Sequence, residues 1–163
     1  MKLGKILVPL DGSTLAEAAI AKAVELAKIS PTASLLLLRA AEAPVFASDQ
    51  IEAQVETVRG AEEYLESVAA RVKEAGFDNV TTSVWYGPAA PAIVEAAEIS
   101  KVDLIVMSTH GRSGLGRLLL GSVAESVLRG SRTPILLLRP SGAPVAAPHG
   151  LAEARPEKEP VHV

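Results

Sequence analysis

The chain has 163 residues, a net charge of −3 and no cysteine. That length fits one domain with a genuine core, the 48% hydrophobic content excludes a chain disordered over most of its length, and the mild acidity argues against a general nucleic-acid binder. Without cysteine there is no disulfide framework, no thiol chemistry and no cysteine-based zinc site; with neither a targeting segment nor an apolar run of membrane length, a cytoplasmic location with no membrane partner is expected.

Lys5 to Val8 reads as a short apolar strand stopped by Pro9, which has no N–H for a central ladder. Leu10-Asp11-Gly12-Ser13 is a tight turn, and Thr14-Leu-Ala-Glu17 matches a capping box. The first helix follows to about Ile29, with Ala18, Ala19, Ala23 and Leu26 at helical spacing, and Ser30-Pro31-Thr32 closes it. Leu35 to Leu38 is a second buried strand, and Ala41 to Asp49, containing Pro44, is a loop. A long amphipathic helix comes next, with Val55, Val58, Leu65, Val68 and Val72 on its apolar stripe and Gly76 as C-cap. Val80 to Tyr86 alternates apolar and polar residues, as a strand near an edge does, and its Trp85 is expected to serve packing. Gly87-Pro88 leads into a third helix that packs Ile93, Val94 and Ala97 inward.

Asp103 and the run Leu104-Ile105-Val106-Met107 form a fourth strand buried on both faces. Small residues follow at once, and Ser122-Val-Ala-Glu125 reads as a capping box opening a fourth helix that reaches Arg129. Pro134 to Leu138 is a fifth strand. Strand and helix alternate throughout, which predicts an open, mainly parallel α/β sheet with helices on both faces. The expected domain covers residues 1–140; the Ala-, Pro- and Glu-rich tail 141–163, with His149 and His162, is expected to be disordered and solvated.

A strand, a glycine loop and a helix N-terminus in succession make an anion site, because the first amides of the helix and its dipole both favour negative charge. Phosphate is the expected anion. The spacing Gly111-Arg-Ser-Gly-Leu-Gly116 imitates a P-loop, but Arg117 and Leu118 stand where Lys and Ser or Thr are needed. A dinucleotide fingerprint fails too, because Leu119 occupies the third glycine position after Gly114 and Gly116.

The segment Ser108-Thr-His-Gly111, nine further residues, then Gly121-Ser122 resembles the nucleotide loop of the universal stress protein family, Gly-x-x-Gly-x9-Gly-Ser/Thr, with Ser108 replacing the first glycine. Lys5-Ile-Leu-Val-Pro-Leu-Asp-Gly-Ser13, Gly87-Pro88 and Pro134-Ile-Leu-Leu-Leu138 are similar to the family as well, so the resemblance covers roughly residues 2 to 140. It implies a five-stranded, Rossmann-like doubly wound sheet in the order 3-2-1-4-5, with the ligand crevice between strands one and four. By resemblance to the ATP-binding branch, Pro9 and Asp11 border base and ribose, Ala40 offers backbone groups to adenine, and Ser108, Gly111, Gly121 and Ser122 hold phosphates. Ala40 stands where a larger residue is usual in the family. The implied cofactor is ATP with Mg²⁺ or Mn²⁺, bound mainly through phosphate oxygens and water. Homodimers joined by antiparallel pairing of the fifth strand are common in the family, and an apolar edge at Ile135 to Leu138 invites such pairing.

The same residues admit plainer roles. Asp11 could only cap the first helix, Ser122 could only be an N-cap, and Arg112 and Arg117 are as well explained by an exposed loop as by screening of a triphosphate. His110 could contact phosphate or act as a base, but no acid is placed to orient it, so a structural role in the loop is favoured. No catalytic residue is therefore assigned. The expected function is an ATP-dependent regulatory module of the stress-response type. The alternatives are a slow ATP hydrolase, or an interaction module that takes AMP, cyclic AMP or no nucleotide.

Overall fold

The computed structural model describes residues 3–42, 50–109 and 120–139. Strands β1 (Lys5–Pro9), β2 (Ser34–Ala41), β3 (Val80–Tyr86), β4 (Leu104–Ser108) and β5 (Ile135–Leu138) alternate with helices α1 (Thr14–Ala27), α2 (Gln50–Glu74), α3 (Ala89–Ile99) and α4 (Ser122–Gly130). The sheet order is β3-β2-β1-β4-β5, and all four pairings are parallel. This is the expected doubly wound topology.

The winding follows from where the apolar side chains go. Successive residues of a strand face opposite sides, and the central strands are apolar on both. Ile6, Val8, Leu35, Leu37, Leu104 and Val106 face α1 and α2. Leu7, Leu36, Leu38, Ile105 and Met107 face α3 and α4. Covering both faces of a parallel sheet is what makes its strands read as continuous apolar runs.

Several element details differ from the expectations. Helix α1 is capped by Ser13, not Thr14: the Ser13 hydroxyl accepts from the Ala16 amide at 3.1 Å. The sequence contains both frames, and the one-residue shift frees Glu17 for other partners. The buried stripe of α1 is Ala16, Ala19, Ala23 and Ala27, while Ala18 is exposed. These small side chains let the helix lie close against the sheet. The helix ends two residues before Ile29 because the Ile29 and Ser30 amides turn to carbonyls three residues back.

Strand β2 runs three residues beyond Leu38, since β3 pairs with it as far as Ala41↔Tyr86. Ala40 therefore lies inside the strand, not past it. Of the expected loop, residues 43–49 lie outside the described residues, as does the tail from residue 140 onward. In α2, Leu65, Val68 and Val72 are buried as expected, joined by Ala61 and Ala69, but Val55 is 62% exposed. The first turns of α2 thus present Val55 to solvent. Gly76 ends the helix at φ +88, with its own amide on Lys73 O and that of Phe77 on Val72 O, the two bonds of a Schellman motif.

Strand β3 is an edge, as its alternation predicted, and Trp85 packs against the cluster beneath α3 while donating to the Ser83 hydroxyl at 3.2 Å. Asp103, just before β4, accepts from the amides of Gly4 and Lys5 at 2.8 and 2.9 Å. That carboxylate ties the entry of β1 to β4 across nearly a hundred residues of sequence.

Candidate functional site

The site begins with Pro9. The structure includes it as the last residue of β1, paired with Leu38, and the next amide, Leu10, donates to Leu38 O at 2.8 Å. Because successive N–H groups point to opposite neighbours, the donor missing from Pro9 falls on the β4 side. Pairing between β1 and β4 is confined to Ile6↔Leu104 and Leu7↔Ile105. The sheet therefore opens between these strands at their carboxyl ends, the switch point where open α/β sheets receive ligands.

A pocket of about 350 Å³ occupies this opening. Pro9, Asp11, Ala40, Ser108, Gly121 and Ser122 all line it. The structure thus brings six of the eight expected site residues together; His110 and Gly111 lie outside the described residues, with Arg112 and Arg117. Ile93 and Met107 supply an apolar wall, and Arg39 and Thr109 complete the polar lining.

The α4 entrance is built by backbone. Thr109 donates to Leu138 O at 2.8 Å, and Thr109 O accepts from the Gly121 amide at 2.7 Å, so the end of β4 holds the start of α4. The capping box expected at Ser122 does not form. Gly121 is the N-cap and offers no side-chain bond, Ser122 is the first helical residue, and Glu125 pairs with Arg129 at 2.8 Å. The first bond of the helix runs from Glu125 N to Gly121 O, leaving the amides of Ser122, Val123 and Ala124 without a partner among the described residues. Unpaired amides aligned with the helix dipole favour an anion here.

Ser108 strengthens that chemistry. It is the last residue of β4 and 8% exposed, and its hydroxyl is buried without a hydrogen-bond partner among the described residues. A buried unsatisfied hydroxyl costs about 1–3 kcal/mol, so an oxygen ligand that accepts from it offsets a standing penalty. These donors fit a phosphate. The described residues contain no group of three His, Cys, Asp or Glu arranged to hold a metal. A divalent ion would depend on the phosphate oxygens themselves.

Asp11 has a structural duty as well as a place in the pocket. Its Oδ1 accepts from the Ser13 amide at 2.9 Å and from the Ser13 hydroxyl at 2.6 Å, fixing the side chain that caps α1. Glu17, released from capping, accepts from the Tyr64 hydroxyl at 2.8 Å and from Arg71 at 2.9 Å. Burial first, then the hydrogen bond and charge of Glu17, hold the Tyr64 hydroxyl protonated well above the usual phenol range. The Arg39 guanidinium lies over the Tyr64 ring, 4.7 Å from its centre.

Arg39 is the charged lining residue that sequence reasoning missed. Its signal was available: it continues the period of two set by Leu35 and Leu37, placing a charge on a face otherwise apolar.

Comparison with known proteins agrees with this architecture. The model of the universal stress protein family matches residues 2–139. A universal stress protein of Methanocaldococcus jannaschii is 34% identical over 140 residues, covering 83% of this chain and 81% of its own. Among solved structures, the hypothetical protein MJ0577 superposes with a TM-score of 0.77 at 28% identity, over 86% of this chain and 98% of that one. A universal stress protein in complex with cAMP superposes with a TM-score of 0.67 at 26% identity, over 85% of this chain and 98% of that one. With the family model matching from β1 through β5, the chain belongs to the universal stress protein family.

Proposed function

We propose that this protein binds an adenine nucleotide, ATP with a divalent ion, in the pocket between β1 and β4, and acts in the cytoplasm as a nucleotide-dependent regulatory module of the stress response. The observation that carries the reading is the start of α4 and the Ser108 hydroxyl, both without partners among the described residues, donors suited to phosphate at the switch point of the sheet. That a universal stress protein of this fold is in complex with cAMP supports an adenine ligand here. In this reading adenine lies against Ala40, Pro9 and Asp11 border base and ribose, and Ser108, Gly121 and Ser122 receive phosphates. His110 and Gly111 belong to the same proposed phosphate set and lie outside the described residues.

Titration of nucleotide-stripped protein with ATP and Mg²⁺, AMP and cyclic AMP tests this. ATP is expected to bind in the micromolar range, about −8 kcal/mol. If none of the three produces heat or a shift in melting temperature, the reading is wrong.

The reading includes a homodimer. Strand β5 is apolar, each of its four residues is only half-buried, and it forms the edge of the sheet. Antiparallel addition of a second β5 would satisfy the open ladder and cover Ile135 and Leu137. Sedimentation at micromolar concentration is expected to give twice the 16.9 kDa chain mass; a monomer at that concentration would refute the assembly.

A further inference from the structure

The phosphate donors at α4 leave one charged group of the pocket unused. Arg39 lines the pocket, is half-buried, and has no hydrogen-bond partner among the described residues for its five N–H donors. It is nevertheless held. Its guanidinium is stacked on Tyr64, Tyr64 is fixed by Glu17, and Glu17 is fixed by Arg71. Gly12, at φ +86, also lies close, and an added Cβ would stand 3.1 Å from Arg39 Nη1. A Cβ there would crowd the guanidinium by a few tenths of an ångström, so the bare backbone of Gly12 leaves it room beside the turn that carries Asp11.

The position of this cation matters as much as its lack of partners. Arg39 and Ala40 are neighbours on β2, and β1 lies between β2 and β4. Two strand spacings amount to about 10 Å, and Arg39 continues the Leu35–Leu37 face that packs on α1 and α2 while α4 packs on the opposite face, so a phosphate seated on α4 is not the one Arg39 meets. A 5′ chain directed at α4 leads away from Arg39, while the ribose bordered by Asp11 lies next to it. A planar guanidinium with free donors pairs best with a phosphate or carboxylate, in bidentate geometry.

We infer that Arg39 is a second anion-binding point of the pocket, and that among adenine nucleotides the pocket favours those with a phosphate on the 2′ or 3′ oxygen of the ribose in addition to the 5′ phosphate. The inference rests on the proposed seating of adenine at Ala40 and of the 5′ phosphate at α4. The ring of Tyr64 acts as a positioning platform, and Gly12 leaves room for the fork.

The test compares 5′-AMP with adenosine 2′,5′-bisphosphate and adenosine 3′,5′-bisphosphate by calorimetry on the full chain. At least one bisphosphate is expected to bind about 10-fold or more tightly than 5′-AMP, the size of a charge-assisted contact, and the preferred isomer identifies the ribose oxygen. In Arg39→Met, which keeps the buried stem, the ratio of bisphosphate to monophosphate affinity is expected to fall to about one; in Arg39→Lys, which keeps charge without the fork, it should fall to an intermediate value. The wild-type comparison needs no variant to fold. Equal affinities for all three ligands in the wild type, or a preference that survives Arg39→Met, would overturn the inference. ATP binding without bisphosphate preference defeats this inference alone, whereas no binding of any adenine nucleotide defeats the proposed function with it.

Discussion

Replacing Gly121 with valine is expected to weaken ATP binding about 100-fold while leaving the fold intact. Gly121 lines the pocket and is the N-cap of α4, so a branched side chain there competes with phosphate for space next to the unpartnered amides. The backbone cannot readily withdraw, because its amide is held on Thr109 O at 2.7 Å. Overpacking of this kind costs about 1–3 kcal/mol, and the upper end corresponds to the expected loss. The fold survives because φ −69 and ψ 152 lie in the extended region, which valine adopts without strain. Calorimetric titration of the variant, with a melting curve beside it, checks both halves. Unchanged ATP affinity in a folded Gly121→Val protein would show that the nucleotide does not sit on α4.

Truncating Ile105 to alanine should have the largest effect on stability, about 3 kcal/mol, lowering the thermal midpoint by roughly 10 °C. Ile105 is 0% exposed in β4, in register with Leu7 on one side and Ile135 on the other, and it faces the cluster under α3 and α4. Removing its outer carbons leaves a cavity that a strand paired on both sides is poorly placed to close. The informative control is Val55→Ala. Valine at 55 repeats the helical period of the buried residues Leu65, Val68 and Val72, yet it is exposed, so this change should move stability by no more than about 0.5 kcal/mol. Denaturant unfolding of the two variants separates them. Equal losses would mean that the start of α2 is packed after all.

The contrast between these two positions shows how far sequence reasoning reaches. Period and run length identified Ile105 as core, because a strand of a parallel sheet must be apolar on both faces to be covered on both. Val55 shows the same chemistry and periodicity on α2. What decided its exposure is where α2 crosses the sheet, and no local pattern encodes that. The caps illustrate the point on a smaller scale. Ser13 and Thr14 both fit an N-cap, and Asp11 selected Ser13 by binding its amide and hydroxyl. At α4 the expected box failed because the β4 end already fixes Gly121 through Thr109, leaving Glu125 to pair with Arg129.

From the sequence alone came the α/β class, the order of the strands and helices, most of the buried positions and, through resemblance of motifs, the strand order and the residues around the crevice. Each of these depends on local period, turn chemistry or a contiguous motif, which are properties of neighbours in the chain. The tertiary structure decided the rest: that the donor missing from Pro9 lets β1 and β4 part, that the Ser108 hydroxyl is buried without a partner among the described residues, and that Arg39 lies over Tyr64 and close to Gly12 in the lining of the pocket. These depend on groups as far apart in sequence as Glu17, Arg39, Tyr64 and Arg71. Only the packing of α1 and α2 on one face of the sheet brings them together, because contact energies between distant residues act only once the fold has placed them within reach.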